Sequence, residues 1–299
     1  MAEILEQAET LPVAKKVKIS SNMPACDFCI DMASVSALRT AVEIMSHTLV
    51  DATFKVANQV SGTNLVLKVD AMDKGCICAC KLKLQCSGRF DPNNSDFCVK
   101  LKPLLEILRA LPSNEGIQVF RRVGSSDLEL TSMGFETHDY KIKTLADEYS
   151  SVPFEAFDTE YSVDFDLGRL KSHLRVVQNL KADTVNIQIY KSPNNDDTSL
   201  LKLSCEGDDA SASWTFLTRS DNRDVLPCFN NKNIDSDDME NVYSEAYSGE
   251  YLKNFCKSME RSSVTLSLSQ GDTKFLVMEY NLGQENSSIL FLLASKTED

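Results

Sequence analysis

The chain has 299 residues, of which 42% are hydrophobic, and a formal net charge of −13 at pH 7. This length allows one large domain or two of ordinary size, and the hydrophobic content is enough to fill a core, which argues against global disorder. No apolar run reaches the length of a membrane span and the N-terminus has no apolar signal core, so we expect a soluble protein made without secretion. The ten cysteines are scattered through periodic segments and are expected to be reduced, buried hydrophobic side chains.

Acidic and basic residues are unevenly distributed along the chain. Acids cluster in expected loops such as Asp235–Glu240, whereas Lys and Arg concentrate on segments with helical periodicity. A negative net charge alone argues against DNA binding, because phosphate contacts need cations. A basic strip on an otherwise acidic surface reconciles the net charge with a DNA contact.

Residues 1–25 lack periodicity and are expected to form a flexible basic tail. Lys15, Lys16 and Lys18 follow Pro12, a pattern that fits a nuclear localisation signal or a solvated tail equally well. The next feature is a CxxC pair at Cys26 and Cys29. Because no second pair follows at zinc spacing, we interpret it as part of a strand edge and predict no metal site.

The first predicted helix covers Val35–Leu49, because Leu38, Val42 and Met45 recur at helical spacing. Strand-like runs follow at 52–57, 64–69 and 76–86. In the last run Cys76, Cys78 and Cys80 alternate, which places them on one face of a strand. Three thiols on one face suit either a soft metal or core packing, and we favour core packing.

The second predicted helix covers Val99–Leu111, with an apolar stripe of leucines and basic residues beside it. Predicted strands follow at 117–121, 127–132 and 136–143. Leu145–Tyr161 then carries five acids, no base and Pro153, without a strand or helix pattern. We interpret this segment as an interdomain connector between domains at 26–144 and 162–299.

The second domain repeats this arrangement. Its predicted helices are Gly168–Leu180 and Ser248–Met259, both amphipathic and basic on the polar face. Asn230–Ser248 is polar and acidic and is predicted to be a surface loop, as are Pro193–Asp197 and Glu206–Asp209. Predicted strands cover 162–166, 184–190, 199–205, 211–217, 264–269, 274–280 and 288–294.

The four helical segments share one order, a short basic helix followed by strands, with starts near residues 35, 99, 168 and 248. A repeat on this scale indicates one supersecondary unit used four times. Strands joined by short links pair antiparallel, so the predicted fold class is α+β. Helices across one side of the sheets, with basic faces turned outward, would line a cationic surface.

An enzymatic function finds little support in the sequence. His47, His138 and His173 lie in different elements, and no metalloprotease, serine-hydrolase or nucleotide-binding motif is present. We therefore expect no catalysis and no cofactor.

Asp70–Asp73 (DAMD), His138–Lys143 (HDYKIK) and Ser263–Ser269 (SVTLSLS) resemble the stretches "(S/A)MD", "SDYEMKL" and "STVTLSMS" of one known family. That family is proliferating cell nuclear antigen, the eukaryotic-type DNA sliding clamp. Tyr251–Lys257 resembles "YLNFFTK" and Leu293–Asp299 the "LAPKIED" end. The order and spacing of these stretches cover about residues 26–299.

The resemblance implies a DNA clamp fold with two similar domains, each having antiparallel sheets outside and two helices inside, that closes into a ring. It implies a homotrimer that encircles duplex DNA without reading sequence, in the nucleus or at a viral replication site. DNA polymerase, other replication and repair proteins with short motifs and a clamp loader are the implied partners. The helices would face the DNA, so the contact would depend on salt.

The resemblance also implies DNA-contacting residues. Arg39, Arg109, Arg175 and Lys257 match inward-facing basic positions of the family, and helical spacing adds Lys102, Lys171 and Lys253. Glu106 stands where the family usually has a lysine, and Thr40 and Ser46 replace other basic positions. These departures predict a looser hold on DNA.

The family binds partner motifs in a pocket between the connector and the C-terminal strand. The matching positions are Met72, Ile77, Leu145, Val152, Pro153, Phe275, Leu292, Ala294 and Ser295. Leu292 replaces a usual aromatic and Ser295 a usual proline, so the preferred partner motif is left open. Lys191, expected in an exposed loop, aligns with the lysine that the family modifies with ubiquitin.

Two alternatives to a replication clamp keep the same fold. The chain suits a subunit of a heteromeric checkpoint-type clamp, or a weakly assembling viral processivity factor. A further alternative is a scaffold that never touches DNA.

Overall fold

The computed structural model describes residues 25–59, 64–146, 159–192, 195–219, 239–257, 263–269, 274–283 and 286–296. The N-terminal half contains β1 Cys26–Met32, α1 Val35–Met45, β2 Asp51–Asn58, β3 Leu65–Met72, β4 Cys78–Phe90, β5 Asp96–Lys100, α2 Leu101–Ala110, β6 Ile117–Arg122, β7 Asp127–Ser132 and β8 Asp139–Lys143. The C-terminal half contains β9 Thr159–Asp166, α3 Leu167–Asn179, β10 Thr184–Ser192, β11 Asn195–Glu206, β12 Ser211–Arg219, β13 Glu240–Ser248, α4 Gly249–Lys257, β14 Ser263–Ser269, β15 Phe275–Asn281 and β16 Ser288–Ala294.

The two halves have the same order of elements: one strand, a helix, four strands, a second helix and three strands. The strand pairings repeat as well. In the N-terminal half β1 pairs with β6 and β2 pairs with both β3 and β5, and in the C-terminal half β9 pairs with β14 and β10 with both β11 and β13. All these pairs are antiparallel, so the predicted duplication and α+β class are present.

Strand β4 connects the two halves. One of its edges pairs with β3, and the other pairs with β16 through the register Phe291 to Cys80 and then with β1 through Ile30 to Gly88. At Gly88 an added Cβ would lie 2.1 Å from the carbonyl oxygen of Cys29, so the close approach of β1 requires glycine. The result is a twelve-stranded sheet that runs through both halves, beside a four-stranded sheet of β12, β11, β10 and β13.

β8 and β12 are two of the strands that lie at the ends of these sheets. β8 ends the large sheet beside β7, and β12 ends the small sheet beside β11. Within the described part of the chain, each has one paired edge.

The four helices form one layer against the sheets. α1 contacts α2, α3 contacts α4, and α1 also contacts α4, so their spatial order is α2, α1, α4, α3. Their apolar faces, including Leu38, Leu104, Leu174 and Phe255, join one buried cluster that extends through both halves. Burial of this face explains why amphipathic segments of only two to three turns form stable helices.

The first helix of each half begins at a capping side chain. Ser34 Oγ accepts a hydrogen bond from the backbone N–H of Ser36, and an Asp166 carboxylate oxygen accepts one from the N–H of Arg169 at 2.9 Å. Such caps satisfy backbone donors that have no partner inside the helix.

The prediction of a surface loop over Asn230–Ser248 is wrong for its second part. Glu240–Ser248 is β13, which pairs with β10 and buries Tyr243 and Tyr247. Between these tyrosines, half-buried Glu245 forms an ion pair with Lys274. The charge in the middle of the inward face hides the alternation that would have predicted a strand.

Four smaller predictions are also corrected. Cys76 precedes β4, is exposed and has a φ of 55°, so only Cys78 and Cys80 share the buried strand face. β11 begins at Asn195, inside the predicted loop 193–197, and β5 was not predicted at all. The connector lies mostly outside the described residues, and β9 already begins at Thr159.

Candidate nucleic-acid interface and partner-binding surface

A groove with four cationic side chains lies between helices α3 and α4. We call it the α3–α4 groove; its volume is about 190 Å³, and Leu174 and Cys256 lie at its base. The cations that line it are Lys171, Arg175, Lys253 and Lys257. Lys171 Nζ donates a hydrogen bond to the backbone carbonyl of Lys257 at 3.4 Å, which ties the two helices together. All four cations had been predicted to contact DNA, and the structure brings them to one place.

The three predicted DNA-binding residues of the N-terminal half are arranged differently. Lys102 is exposed on α2. Arg39 Nη2 donates to Ser113 Oγ at 2.5 Å, so its guanidinium lies against the segment between α2 and β6. Arg109 is exposed but contacts two carboxylates.

These carboxylates and Arg109 form the Arg109 ion-pair cluster. Arg109 Nη2 donates to Glu43 Oε1 on α1 at 2.7 Å, and Nη1 donates to Glu106 Oε1 on α2 at 3.2 Å. The hydrogen bond to Glu43 is the largest cause of the raised pKa of Arg109. The sequence resemblance had marked Glu106 as unusual but gave no signal for Glu43, because residues 43 and 109 meet only in the folded chain.

The two halves therefore present unequal charge on their helices. Helices α3 and α4 carry five cations and one anion, a formal charge of +4. Helices α1 and α2 carry three cations and two anions, a formal charge of +1. Both values contrast with the net charge of −13 for the whole chain, so positive charge is concentrated in the helix layer.

His47 marks the junction between the two helix pairs. Burial lowers its pKa, and the nearby charges of Lys257 and Arg109 lower it further against the opposing effect of Glu43. Cations from both halves thus lie close enough to act on one imidazole.

A second apolar cluster lies on the sheet face opposite the helices. Ala79, Val277 and Leu292 are buried there, with Met72 and Leu290 packed against them. These residues alternate along their strands with residues of the main core, which places them on the outer face. The backbone register puts Met72 opposite Ala79, Ala79 opposite Leu292, and Leu292 opposite Val277, in one row across four strands.

Most of the predicted partner-binding residues surround this outer cluster. Ile77 is 43% exposed, and its carbonyl accepts a hydrogen bond from the N–H of Ala294 at 2.9 Å. Phe275 pairs with Ala294 across β15 and β16, and the N–H of Ser295 donates to the carbonyl of Lys274. Leu292, only 3% exposed, forms the floor of the surface and presents little area to a partner.

Leu145 lies apart from this cluster. Its N–H donates to the carbonyl of Cys98 on β5, and strands β5 and β2 separate it from β3. Val152 and Pro153 are outside the described residues, so the side of the predicted pocket that the connector would form is not described.

A cavity of about 480 Å³ adjoins the outer cluster at Met72. It lies between the first residues of β2 and the last residues of β3, where the ladder between these strands has ended at Phe54 and Val69. Asp70 Oδ1 on its wall is buried without a hydrogen-bond partner among the described residues. In the C-terminal half, a Cβ added at Gly207 after β11 would lie 1.9 Å from the Leu180 carbonyl oxygen, so the backbone there packs closely against the end of α3.

The turn between β3 and β4 is organised by Asp73. One carboxylate oxygen accepts hydrogen bonds from the N–H groups of Ile77 and Cys78, and the other accepts from Gly75 and from the Tyr251 hydroxyl of α4. This contact connects a helix of the candidate nucleic-acid interface to a turn beside the outer cluster.

Three further predictions concern modification, import and chemistry. Lys191 is on strand β10, half-buried over the ring of Tyr161 at 4.9 Å, and not in an exposed loop. Lys15, Lys16 and Lys18 lie outside the described residues.

In the described ranges there is no group of three or more His, Cys, Asp or Glu residues placed to hold a metal ion. No helix in these ranges is long and apolar enough to cross a membrane.

Comparison with solved structures identifies the fold. Proliferating cellular nuclear antigen from Entamoeba histolytica aligns with a TM-score of 0.67 at 16% identity, covering 91% of this chain and 100% of that one. PCNA from Thermococcus kodakaraensis aligns with a TM-score of 0.69 at 17% identity, covering 90% and 100%. The chain has the PCNA fold.

The fold class predicted from the sequence is thereby confirmed, including two similar halves with antiparallel sheets and two helices each. The likeness is structural: no family model matches the sequence, and no curated protein sequence matches it.

Proposed function

We propose that the chain is a subunit of a DNA sliding clamp: three copies close head to tail into a ring, the helices face an encircled duplex, and the outer surface tethers a DNA polymerase and other motif-bearing proteins. The observation that carries this proposal is the relation between the duplicated halves and the two strand edges at β8 and β12.

The strand pairing that joins the two halves within one chain serves as the model for the contact between chains in the ring. Inside the chain, β16 of the C-terminal half pairs with β4 of the N-terminal half. By the duplication, β16 corresponds to β8 and β4 corresponds to β12. The equivalent joint would form between chains, β8 of one against β12 of the next, because β8 and β12 end different sheets and do not pair with each other in the described chain. Such a heterologous contact generates a ring when its rotation closes, and it removes the exposed edges.

The helix layer supports the contact with DNA. Seven predicted cations lie on one layer of helices, and in the C-terminal half four of them converge on one groove. Binding through phosphates is independent of base sequence, as a sliding protein requires. An acidic remainder of the protein would repel DNA elsewhere and direct it to the helix layer.

The outer cluster supports the tethering role. A partner segment that places an apolar side chain against Met72 and Ile77 would stay attached while the ring stays on the duplex. The clamp would then act by raising the partner's effective concentration at the template, without chemistry of its own. A clamp loader remains part of the proposal, as does a nuclear location, which rests on the Lys15–Lys18 segment.

The mass of the assembled protein tests the ring. Light scattering at several concentrations should give three times the 33.3 kDa of the chain. A persistent monomer would contradict the homotrimer and favour a heteromeric or weakly assembling clamp.

Charge reversal tests the DNA contact separately. A variant with Glu at positions 39, 109, 175 and 257 should keep its mass but lose retention on circular duplex and stimulation of a polymerase. Unchanged retention and stimulation would overturn the DNA-encircling role. Reversal of Lys55, Lys68, Lys83 and Lys202, which lie on strands other than the β8 and β12 edges, is the matched control.

A further inference from the structure

Each half of the chain contributes one pair of contacting helices to the helix layer, α1 with α2 and α3 with α4. In the C-terminal half the buried residues Leu170 and Leu174 fix the rotation of α3 and place Arg175 beside α4. In the N-terminal half Leu38 and Val42 fix the rotation of α1 in the same way. The residue that follows Leu174 is Arg175, and the residue that follows Val42 is Glu43, so the duplicated position carries opposite charges.

The second helices of the two pairs, α2 and α4, can be compared position by position in the same way. Arg109 comes directly after buried Leu108 on α2, and Lys257 comes directly after buried Cys256 on α4. Arg109 and Lys257 therefore occupy corresponding positions. Arg175 and Lys257 are two like charges beside one groove, whereas Glu43 and Arg109 are opposite charges whose atoms lie 2.7 Å apart.

We infer that the two halves of each subunit contact DNA unequally: the α3–α4 groove holds one phosphate group, whereas between α1 and α2 the Glu43 carboxylate already occupies the corresponding anion position on Arg109. This inference rests on the proposed function and adds to it the place of the phosphate contact and a residue that limits it. Like charges gathered at one groove repel one another unless an anion lies between them. Arg175, Lys253 and Lys257 have no carboxylate partner among the described residues, so these three cations give the α3–α4 groove a preference for an anion that Arg109 already satisfies within its ion-pair cluster.

The chemistry of the groove suits a phosphate oxygen. Arg175 offers a planar fork of N–H donors, and three lysine ammonium groups add point charges around it. Glu106, 3.2 Å from Arg109 Nη1, further reduces the ability of α2 to bind an anion, and Asn254 holds the corresponding position on α4. A duplex backbone in the ring would thus be held mainly by the C-terminal halves.

Substitutions of Glu43 test the inference directly. Glu43→Gln releases Arg109 from its nearest carboxylate, and Glu43→Arg gives α1 the charge that α3 has at Arg175. Because exposed ion pairs are weak, we expect duplex affinity to rise about two- to fivefold for each Arg109 released. For Glu43→Arg, the plot of log affinity against log salt should steepen by about 0.9 for each new phosphate contact.

Glu136→Gln is the matched control. It removes the same charge from an exposed carboxylate outside the helices, so it should change the affinity by less than about twofold and leave the salt slope unchanged. Arg175→Gln should reduce affinity more than Arg109→Gln, because only Arg175 is expected to contact phosphate in the parent protein.

A second measurement uses inorganic phosphate and needs neither DNA nor a ring. The melting temperature in phosphate is compared with that in chloride at equal ionic strength, because an anion that binds the folded state stabilises it. The parent and Glu136→Gln should gain the same increment, and the double variant Arg175→Gln, Lys257→Gln should lose it.

The outcomes separate the inference from the proposed function. If the parent is retained on duplex and Glu43→Arg leaves the salt slope unchanged, the inequality is overturned and the clamp stands. If the parent is not retained on duplex, the clamp is overturned and the phosphate measurement decides: an increment lost only in the double variant supports the groove, and an equal increment in all variants overturns it.

Discussion

The hydroxyl of Tyr251 donates a hydrogen bond to Asp73 Oδ2 at 2.7 Å, although 178 residues separate the two in the chain. Tyr251 is on α4, two residues before Lys253 of the candidate nucleic-acid interface, and Asp73 holds the turn that leads to Ile77. The bond therefore joins the helix layer of the C-terminal half to the outer cluster of the N-terminal half. Burial, followed by the Asp73 hydrogen bond, raises the pKa of Tyr251, so the hydroxyl stays a donor at neutral pH.

Replacement of Tyr251 by Phe should destabilise the protein by about 1–2 kcal/mol, because it leaves an oxygen of the buried Asp73 carboxylate with fewer donors. Urea unfolding measures the change in the free energy of unfolding. Tyr140→Phe is the control, since its hydroxyl has no recorded protein partner in the described structure, and it should change stability by less than about 0.5 kcal/mol. Equal losses in the two variants would show that the Tyr251 bond contributes nothing specific.

A buried ion pair holds β1 to β6 in the N-terminal half. Arg121 Nε donates to Asp27 Oδ2 at 2.9 Å, and the two side chains are only 14% and 11% exposed. Arg121 also donates to the carbonyls of Asp96 and Asn94. Arg121→Met should lower the free energy of unfolding by about 3–5 kcal/mol, because it leaves the buried Asp27 carboxylate without its cationic partner.

The matched comparison for that prediction is an exposed pair in the same half. Lys55 and Asp96 lie 3.5 Å apart with Lys55 60% exposed, so Lys55→Met should cost at most about 1 kcal/mol. Chemical denaturation of both variants gives the two values. A loss for Arg121→Met no larger than that for Lys55→Met would contradict the structural role of the buried pair.

Two histidines predict how stability depends on pH. Burial lowers the pKa of His173, helped by Arg169, and burial with Lys257 lowers that of His47. The unfolded chain then binds protons that the folded chain does not, so stability is complete above about pH 6.5 and is lost as the pH falls through the unfolded value. The melting temperature should therefore decline between about pH 7 and pH 5.5.

The double variant His47→Gln, His173→Gln should show a smaller decline over that range than the parent protein does. Trp214, the single tryptophan, lies with its ring centroid 4.6 Å from that of His173. A protonated imidazole quenches indole emission, so Trp214 fluorescence in the folded protein reports when His173 titrates. An identical melting profile in the double variant and the parent would contradict the assignment.

Sequence patterns predicted the elements whose burial is periodic. The helices were predicted because each contains apolar residues at helical spacing, for example Leu38, Leu104, Leu174 and Phe255. The exact ends of the helices depend on packing, which this spacing does not show. The prediction of a loop at β13 was wrong because the charged residue Glu245 interrupts the apolar residues of the buried face. Lys274 neutralises Glu245, but the two residues are far apart in the sequence, so periodicity cannot associate them.

The candidate site was predictable only in part for a related reason. Cations on the polar faces of helices are visible in the sequence, so the positions of Arg175 and Lys257 on the exposed faces of α3 and α4 were predictable. The ion pair of Glu43 with Arg109, and the bond of Tyr251 to Asp73, arise from the packing of elements far apart in the chain. No local spacing contains that information.

The central claim is that three copies form a closed ring around duplex DNA, and topological retention tests it most directly. The protein is assembled on a circular duplex at high protein concentration, and its dissociation is followed by gel filtration in high salt before and after a single cut linearises the DNA. We predict slow release from the circle and rapid release from the ends of the linear molecule. Equal release rates from the two forms would contradict encirclement.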